Sequence, residues 1–224
     1  MKDSAKQRVK TAFTLVTIAL VAYGATWAPY LVESWKIRQL DSEDPEIRDA
    51  AAKWLGEHKA ARAVPKLIEL FRQEPDTSAR DSAIPHPSEY VISKVGQALI
   101  DIGRPAASAL VEVWHPRGSS VTNFTASRAQ WLLRSIGADA VPALVECVER
   151  HEDRKCLRNT LLTLDSMGDS ALSAVPALRQ RAGREGPKTA KAIATLISVL
   201  QRHPKSEYFY RTYYWPFSDV DPDL

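Results

Sequence analysis

Residues 97–114 and 131–148 align without a gap at an offset of 34, placing Gly103 on Gly137 and Leu110-Val111-Glu112 on Leu144-Val145-Glu146. No other feature constrains the fold as much. A repeat of this length is one supersecondary unit that cannot bury its apolar face alone and must stack on its neighbours. Two further copies carry the same landmarks, from Trp54-Leu55-Gly56 to Ala63-Val64-Pro65-Lys66-Leu67 and from Ser166-Met167-Gly168 to Ala174-Val175-Pro176-Ala177-Leu178. The glycines recur at 56, 103, 137 and 168, and the long first interval holds an insertion, residues 74–87, rich in Pro, Ser and Asp.

Each half of a copy has helical spacing. Ile47, Ala50, Ala51, Trp54 and Leu55 follow i, i+3, i+4, i+7, i+8 and predict one apolar stripe. Val64, Leu67, Ile68 and Phe71 predict its partner, and Val141, Leu144, Val145 and Val148 repeat that spacing. Between the halves the glycine is expected to supply the left-handed residue that ends the first helix. Asp139 and Ser173 stand where an N-cap belongs, with Pro142 and Pro176 in the first turn, and Asp44-Pro45 opens the first copy by the same logic. A last helix is predicted over residues 187–202, carrying Ile193, Leu196, Ile197 and Leu200 and stopped by Pro204. Nine glycines in 224 residues are too few for a turn-rich sandwich or barrel.

Arg48-Asp-Ala-Ala-Ala-Lys-Trp-Leu-Gly56 and Ala63-Val-Pro-Lys-Leu-Ile-Glu-Leu70 resemble the short HEAT-like repeats of the phycobilisome-lyase type. The resemblance covers about residues 42–203. It implies an all-α fold, a HEAT-like α-solenoid of about five helix pairs. It implies little about activity, because the matching positions are the packing positions, and members range from lyase subunits to binding scaffolds.

Ahead of the repeats, residues 11–32 contain no charged side chain. At about 1.5 Å per residue, such a run forms a helix of roughly 33 Å, enough to cross a bilayer core. Trp27, Tyr30 and Trp35 lie at its far end, and Lys2, Lys6, Arg8 and Lys10 precede it. The expected organisation is a basic cytoplasmic N-terminus (1–10), a transmembrane signal-anchor helix (11–32), a linker (33–41), the repeat domain (42–206) and a C-terminal tail (207–224). The positive-inside rule then puts the repeats outside the cytoplasm, in the periplasm of a bacterium. A cleaved signal peptide ending near Ala22-Tyr23-Gly24 and a buried core helix are the competing readings.

No reaction is spelled out. The five histidines form no i, i+4 ligand pair, and no nucleophile elbow or glycine-rich phosphate loop is present. The expectation is therefore a binding scaffold with no metal or cofactor and no catalytic residue of its own. An enzyme or enzyme subunit related to HEAT-like lyases or DNA glycosylases is the alternative. A net charge of +3 argues against a nucleic-acid partner.

Three features remain as candidate sites. Cys147 and Cys156 lie symmetrically about a turn near residues 151–152, so they form either a disulfide or two buried thiols. From Arg179 to Arg211 eight cations, among them Arg181, Arg184, Lys188 and Lys191, face only Glu185 and Glu207. That stretch is read as a patch for an acidic protein partner or as a solvated end cap. Residues 208–217 hold seven aromatics in ten, including Tyr213, Tyr214 and Trp215. Such a tail either folds back over the last helices or docks on a partner or a membrane interface.

Overall fold

The computed structural model describes residues 28–74, 93–114, 123–150 and 154–202. Those residues are helical throughout, joined by short turns. Helix α1 (residues 28–39) is followed by α2 (Pro45–Glu57), α3 (Val64–Gln73), α4 (Lys94–Ile102), α5 (Arg104–Glu112) and α6 (Asn123–Ile136). Then come α7 (Val141–Arg150), α8 (Arg154–Met167), α9 (Val175–Ala182) and α10 (Pro187–Arg202). The expected five or so pairs are four complete ones, α2/α3 to α8/α9, flanked by the single helices α1 and α10.

Successive helices reverse direction, and like stacks on like. One row runs α2, α4, α6, α8, α10 and the other α3, α5, α7, α9. The core between them is one continuous cluster in which Leu55, Leu67, Phe71, Leu99, Leu110, Leu133, Leu144 and Leu164 are all fully buried. Trp114 closes the second pair from inside the core, its indole N–H donating to the Ala126 carbonyl at 3.3 Å.

The two rows define two edges. The turn edge carries the links from α2 to α3, α4 to α5, α6 to α7 and α8 to α9. The loop edge carries the links that lead on to α4, α6, α8 and α10. Across the loop edge Arg181 of α9 donates to the Val148 carbonyl of α7 at 3.2 Å, and Arg128 of α6 pairs with Glu74 at the end of α3.

Most of the predicted stripes face the core: Val64, Leu67, Ile68 and Phe71 are buried, as are Val141, Leu144 and Val148, and Ile193, Leu196, Ile197 and Leu200. The stripe of α2 is rotated. Ile47 and Ala50 are exposed and Trp54 half-buried, while Ala51, Ala52, Leu55 and Gly56 face inward. Trp54 instead stacks on His58, ring centroids 3.9 Å apart.

The reason lies at Gly56. Gly103, Gly137 and Gly168 have φ of +74°, +72° and +55°, the left-handed role expected of them. Gly56 does not; Lys59 takes that conformation, with φ of +50°. A Cβ on Gly56 would come within 2.8 Å of Ala98 Cα, so this glycine lets the backbones of α2 and α4 approach. Helices in contact that closely bury small residues, and the larger Ile47 is turned out.

Helix entry also differs from expectation in part. Asp44 does cap α2, its carboxylate accepting from the Glu46 N–H at 2.9 Å, with Pro45 next. Asp139 and Ser173 do not cap. They lie in 3₁₀ turns, Gly137–Ala140 and Gly168–Ala174, that feed the chain into α7 and α9. α9 starts with no side-chain cap at all. A tight turn already pairs the backbone groups a cap would serve, and the proline in the first turn removes one donor.

The segment expected to be a linker, residues 33–41, is helical to residue 39 and turns at 40–41. Leu40 is buried, Glu33 pairs with Arg62 at 3.6 Å and Asp41 with Lys66 at 2.7 Å, so α1 is bound to the first pair. Residues 11–27 of the expected transmembrane span lie outside the described residues. Among the described residues, no helix is long and apolar enough to cross a membrane.

Gly56→Ala is expected to cost roughly 1–3 kcal/mol, the usual penalty for overpacking a close contact. Urea unfolding of the full chain measures it, and a loss under about 0.5 kcal/mol would show that α2 and α4 separate freely.

Candidate functional site

The basic stretch predicted from residue 179 onward is divided by the fold. Arg179, Arg184, Lys188 and Lys191 are exposed where α9 ends and α10 begins. Arg181 is not part of that surface. Its side chain is mostly covered, its Nε donates to Glu185 Oε1 at 2.7 Å, and its Nη1 holds the Val148 carbonyl. The one acid in the stretch up to Lys191 is thereby spent on an internal pair, and the exposed cations keep their charge unopposed within it.

Antiparallel packing adds a cation that spacing along the chain did not suggest. α8 begins at the loop edge beside the end of α9 and the start of α10, and Arg158 in its second turn is exposed. The corner formed by α8, α9 and α10 therefore presents Arg158, Arg179, Arg184, Lys188 and Lys191. Tyr213, Tyr214 and Trp215 lie outside the described residues.

The same edge holds the cysteines. Cys147 near the end of α7 and Cys156 near the start of α8 are both buried, Cα atoms 7.0 Å apart, and the fold brings their sulfurs into bonding contact. That separation lies at the outer limit of what a disulfide spans.

A second concavity lies between the first two pairs. It has a volume of about 520 Å³, and its walls come from the α1–α2 turn, α3 and the start of α4. Charges of both signs line it: Lys66 is held by Asp41 and by Glu69 at 3.1 Å, while Asp49 and Lys94 are exposed. The hydrogen bonds from Asp41 and then Glu69 hold the Lys66 ammonium above its ordinary pKa. No aromatic side chain lines this cleft, so it lacks the stacking platform that a base-binding groove uses. Among the described residues, no three His, Cys, Asp or Glu side chains are grouped to hold a metal ion.

One titratable group went unnoticed in the sequence. Asp165 of α8 is only 7% exposed, and one of its carboxylate oxygens has no hydrogen-bond partner. Burial pushes its pKa up to about 7. The signal was an acid directly following Leu161 and Leu164 in an otherwise buried stripe.

A family model of HEAT repeats matches residues 18–85. This supports a HEAT-repeat protein. The match starts inside the apolar run and extends through α1, α2 and α3, in agreement with α1 packing on the first pair. No curated protein matches the chain. The all-helical fold of stacked antiparallel pairs is consistent with a HEAT-like solenoid, and such repeats suggest a protein-interaction scaffold.

Asp165 makes stability depend on pH. Between its unfolded pKa near 3.8 and its folded value near 7, the unfolded chain binds fewer protons, so stability falls as pH rises and levels off above about 7. Asp165→Asn removes the ionisation. It is expected to stabilise the protein by roughly 2–4 kcal/mol at pH 8 and several-fold less at pH 4.5, read from thermal melts at both values. An equal gain at both values would show that burial does not shift this carboxyl.

Proposed function

We propose that this chain is a membrane-anchored scaffold whose HEAT-type repeats, of the short variety, grip an acidic segment of a protein partner and carry no catalysis of their own. The observation that carries the proposal is the corner of α8, α9 and α10. Five cations are exposed there, and the nearest acid, Glu185, is committed to Arg181. Convergent positive charge on a rigid edge raises the association rate of an acidic partner and sets its orientation.

Anchoring is supported by the uncharged run of residues 11–32 and the four cations before it. It places the repeats outside the cytoplasm. The cysteine geometry fits that placement, because thiols in contact oxidise in such a compartment. Unreduced protein is then expected to run in the mass spectrometer two hydrogens lighter than reduced protein. Reduction is expected to cost about 2–3 kcal/mol for so short a closed loop. Two free thiols in protein isolated under alkylation would remove both the disulfide and its support for the placement.

The partner surface is tested with Arg184→Glu, Lys188→Glu and Lys191→Glu combined. Exposed as they are, these changes should move stability by no more than about 0.5 kcal/mol. The partner co-purified from solubilised membranes should be lost, and the wild-type interaction should weaken steeply with salt. Asp49→Lys with Lys94→Glu serves as the comparison. If that pair abolishes co-purification while the triple variant keeps it, the cleft between the first two pairs is the grip.

A further inference from the structure

The direction of the helices constrains where the two ends of the chain emerge. Arg62, in the first link of the turn edge, sits over the Tyr30 ring at 3.9 Å and pairs with Glu33. Asp41, at the other end of α1, reaches Lys66, one turn further down α3. α1 therefore enters from the turn edge and runs parallel to α3, with its first turn level with or beyond that edge. Each following helix reverses, and α10 is the tenth. An even number of reversing helices starts and finishes on the same edge, so α10 also ends at the turn edge.

What leaves the solenoid at these two points is distinctive. At the first, the start of α1 continues the uncharged run of residues 11–32, and its side chains lack protein cover: Tyr30 is 46% exposed, Leu31 62%, Val32 41% and Trp35 55%. Apolar exposure of this extent is concentrated on α1 among the described residues. At the second, α10 hands over to residues 203–224, with seven aromatics in the ten residues from 208 to 217. Leu172, in the last link of the turn edge, is 43% exposed near this point.

We propose that the turn edge lies on the surface of a lipid bilayer and is held there at both ends, by α1 at one end and by the aromatic tail at the other. The proposal rests on the anchor reading and extends it. An anchor alone leaves the solenoid free to tilt about one point, whereas a second contact fixes which edge faces the lipid. The chemistry suits the occupant: Tyr and Trp favour the headgroup region, where a ring is buried and its polar atom stays wet. Arg62 over Tyr30 and Lys36, 4.7 Å from the Trp35 ring centroid, add cations at that depth.

The test uses the full chain in phosphatidylethanolamine–phosphatidylglycerol vesicles, with a spin label on Leu31→Cys, Tyr213→Cys or, on the loop edge, Glu46→Cys. Cys147 and Cys156 are buried, so the label goes to the introduced thiol. Electron paramagnetic resonance compares accessibility to oxygen, which concentrates in lipid, and to a water-soluble nickel complex. The expected result is a several-fold higher oxygen-to-nickel ratio at 31 and at 213 than at 46. A lipid-exposed label at 31 with a water-exposed label at 213 overturns the second contact and leaves the anchor standing. A label at 213 shielded from both reagents assigns the tail to the protein surface and overturns the proposal equally. A water-exposed label at 31, with the protein released by alkaline carbonate, removes the anchor reading and this proposal with it.

Discussion

A pair of antiparallel helices has two apolar faces and can cover only one of them with its own side chains. Everything in this molecule follows from that deficit. The interior pairs solve it by stacking, which is why each row of like helices is continuous and why the core has no break among the described residues. The two ends have no further copy to stack on. α10 covers the last pair with Ile193, Leu196 and Leu200, and α1 covers the first with Leu40 and Ile37. The first end is closed by a helix that is itself apolar on its outer side, so the deficit is passed outward to Tyr30, Leu31, Val32 and Trp35.

Stacking also decides which small residues matter. Three of the turn glycines serve the backbone, while Gly56 serves the contact between α2 and α4, although all four hold the same place in the repeat. The first pair can tolerate this because its turn is longer, and the left-handed residue moves to Lys59. One substitution pattern thus conceals two physical jobs. It separates them only where the distance from Gly56 to Ala98 is known.

Much of the fold was legible because repetition reports packing directly. The bounds of α10, the partner stripe of Val64 to Phe71 and the insertion after residue 74 all came from periodicity and punctuation. What escaped was whatever depends on contacts between copies. The rotation of α2 that exposes Ile47 is set by its neighbour. The 3₁₀ entries that displace Asp139 and Ser173 from capping compete with a side-chain cap that looks equally good in the sequence. The candidate site divides the same way. A charge excess near residues 179–191 can be counted along the chain, but only the fold withdraws Arg181 and Glu185 from the surface and brings Arg158 to it. Asp165 is hidden for a related reason: its neutral form is enforced by helices packed around it, and nothing in its flanking residues announces burial.

The two edges of the solenoid carry different materials, and this links the charge to the anchor. The turn edge has short links, the exposed apolar start of α1 and the exit toward the aromatic tail. The loop edge has the cations of the α8, α9 and α10 corner and the connections that vary in length from one pair to the next. A solenoid that rests on lipid by its turn edge therefore turns its basic corner away from the membrane, toward whatever approaches from the aqueous side. If the loop edge faced the lipid instead, α1 would have to reverse direction before entering the bilayer, and its packing against Arg62 and Lys66 leaves no residue free to make that turn. The direction of one helix thus ties the membrane contact and the partner surface to opposite sides of the same rigid body.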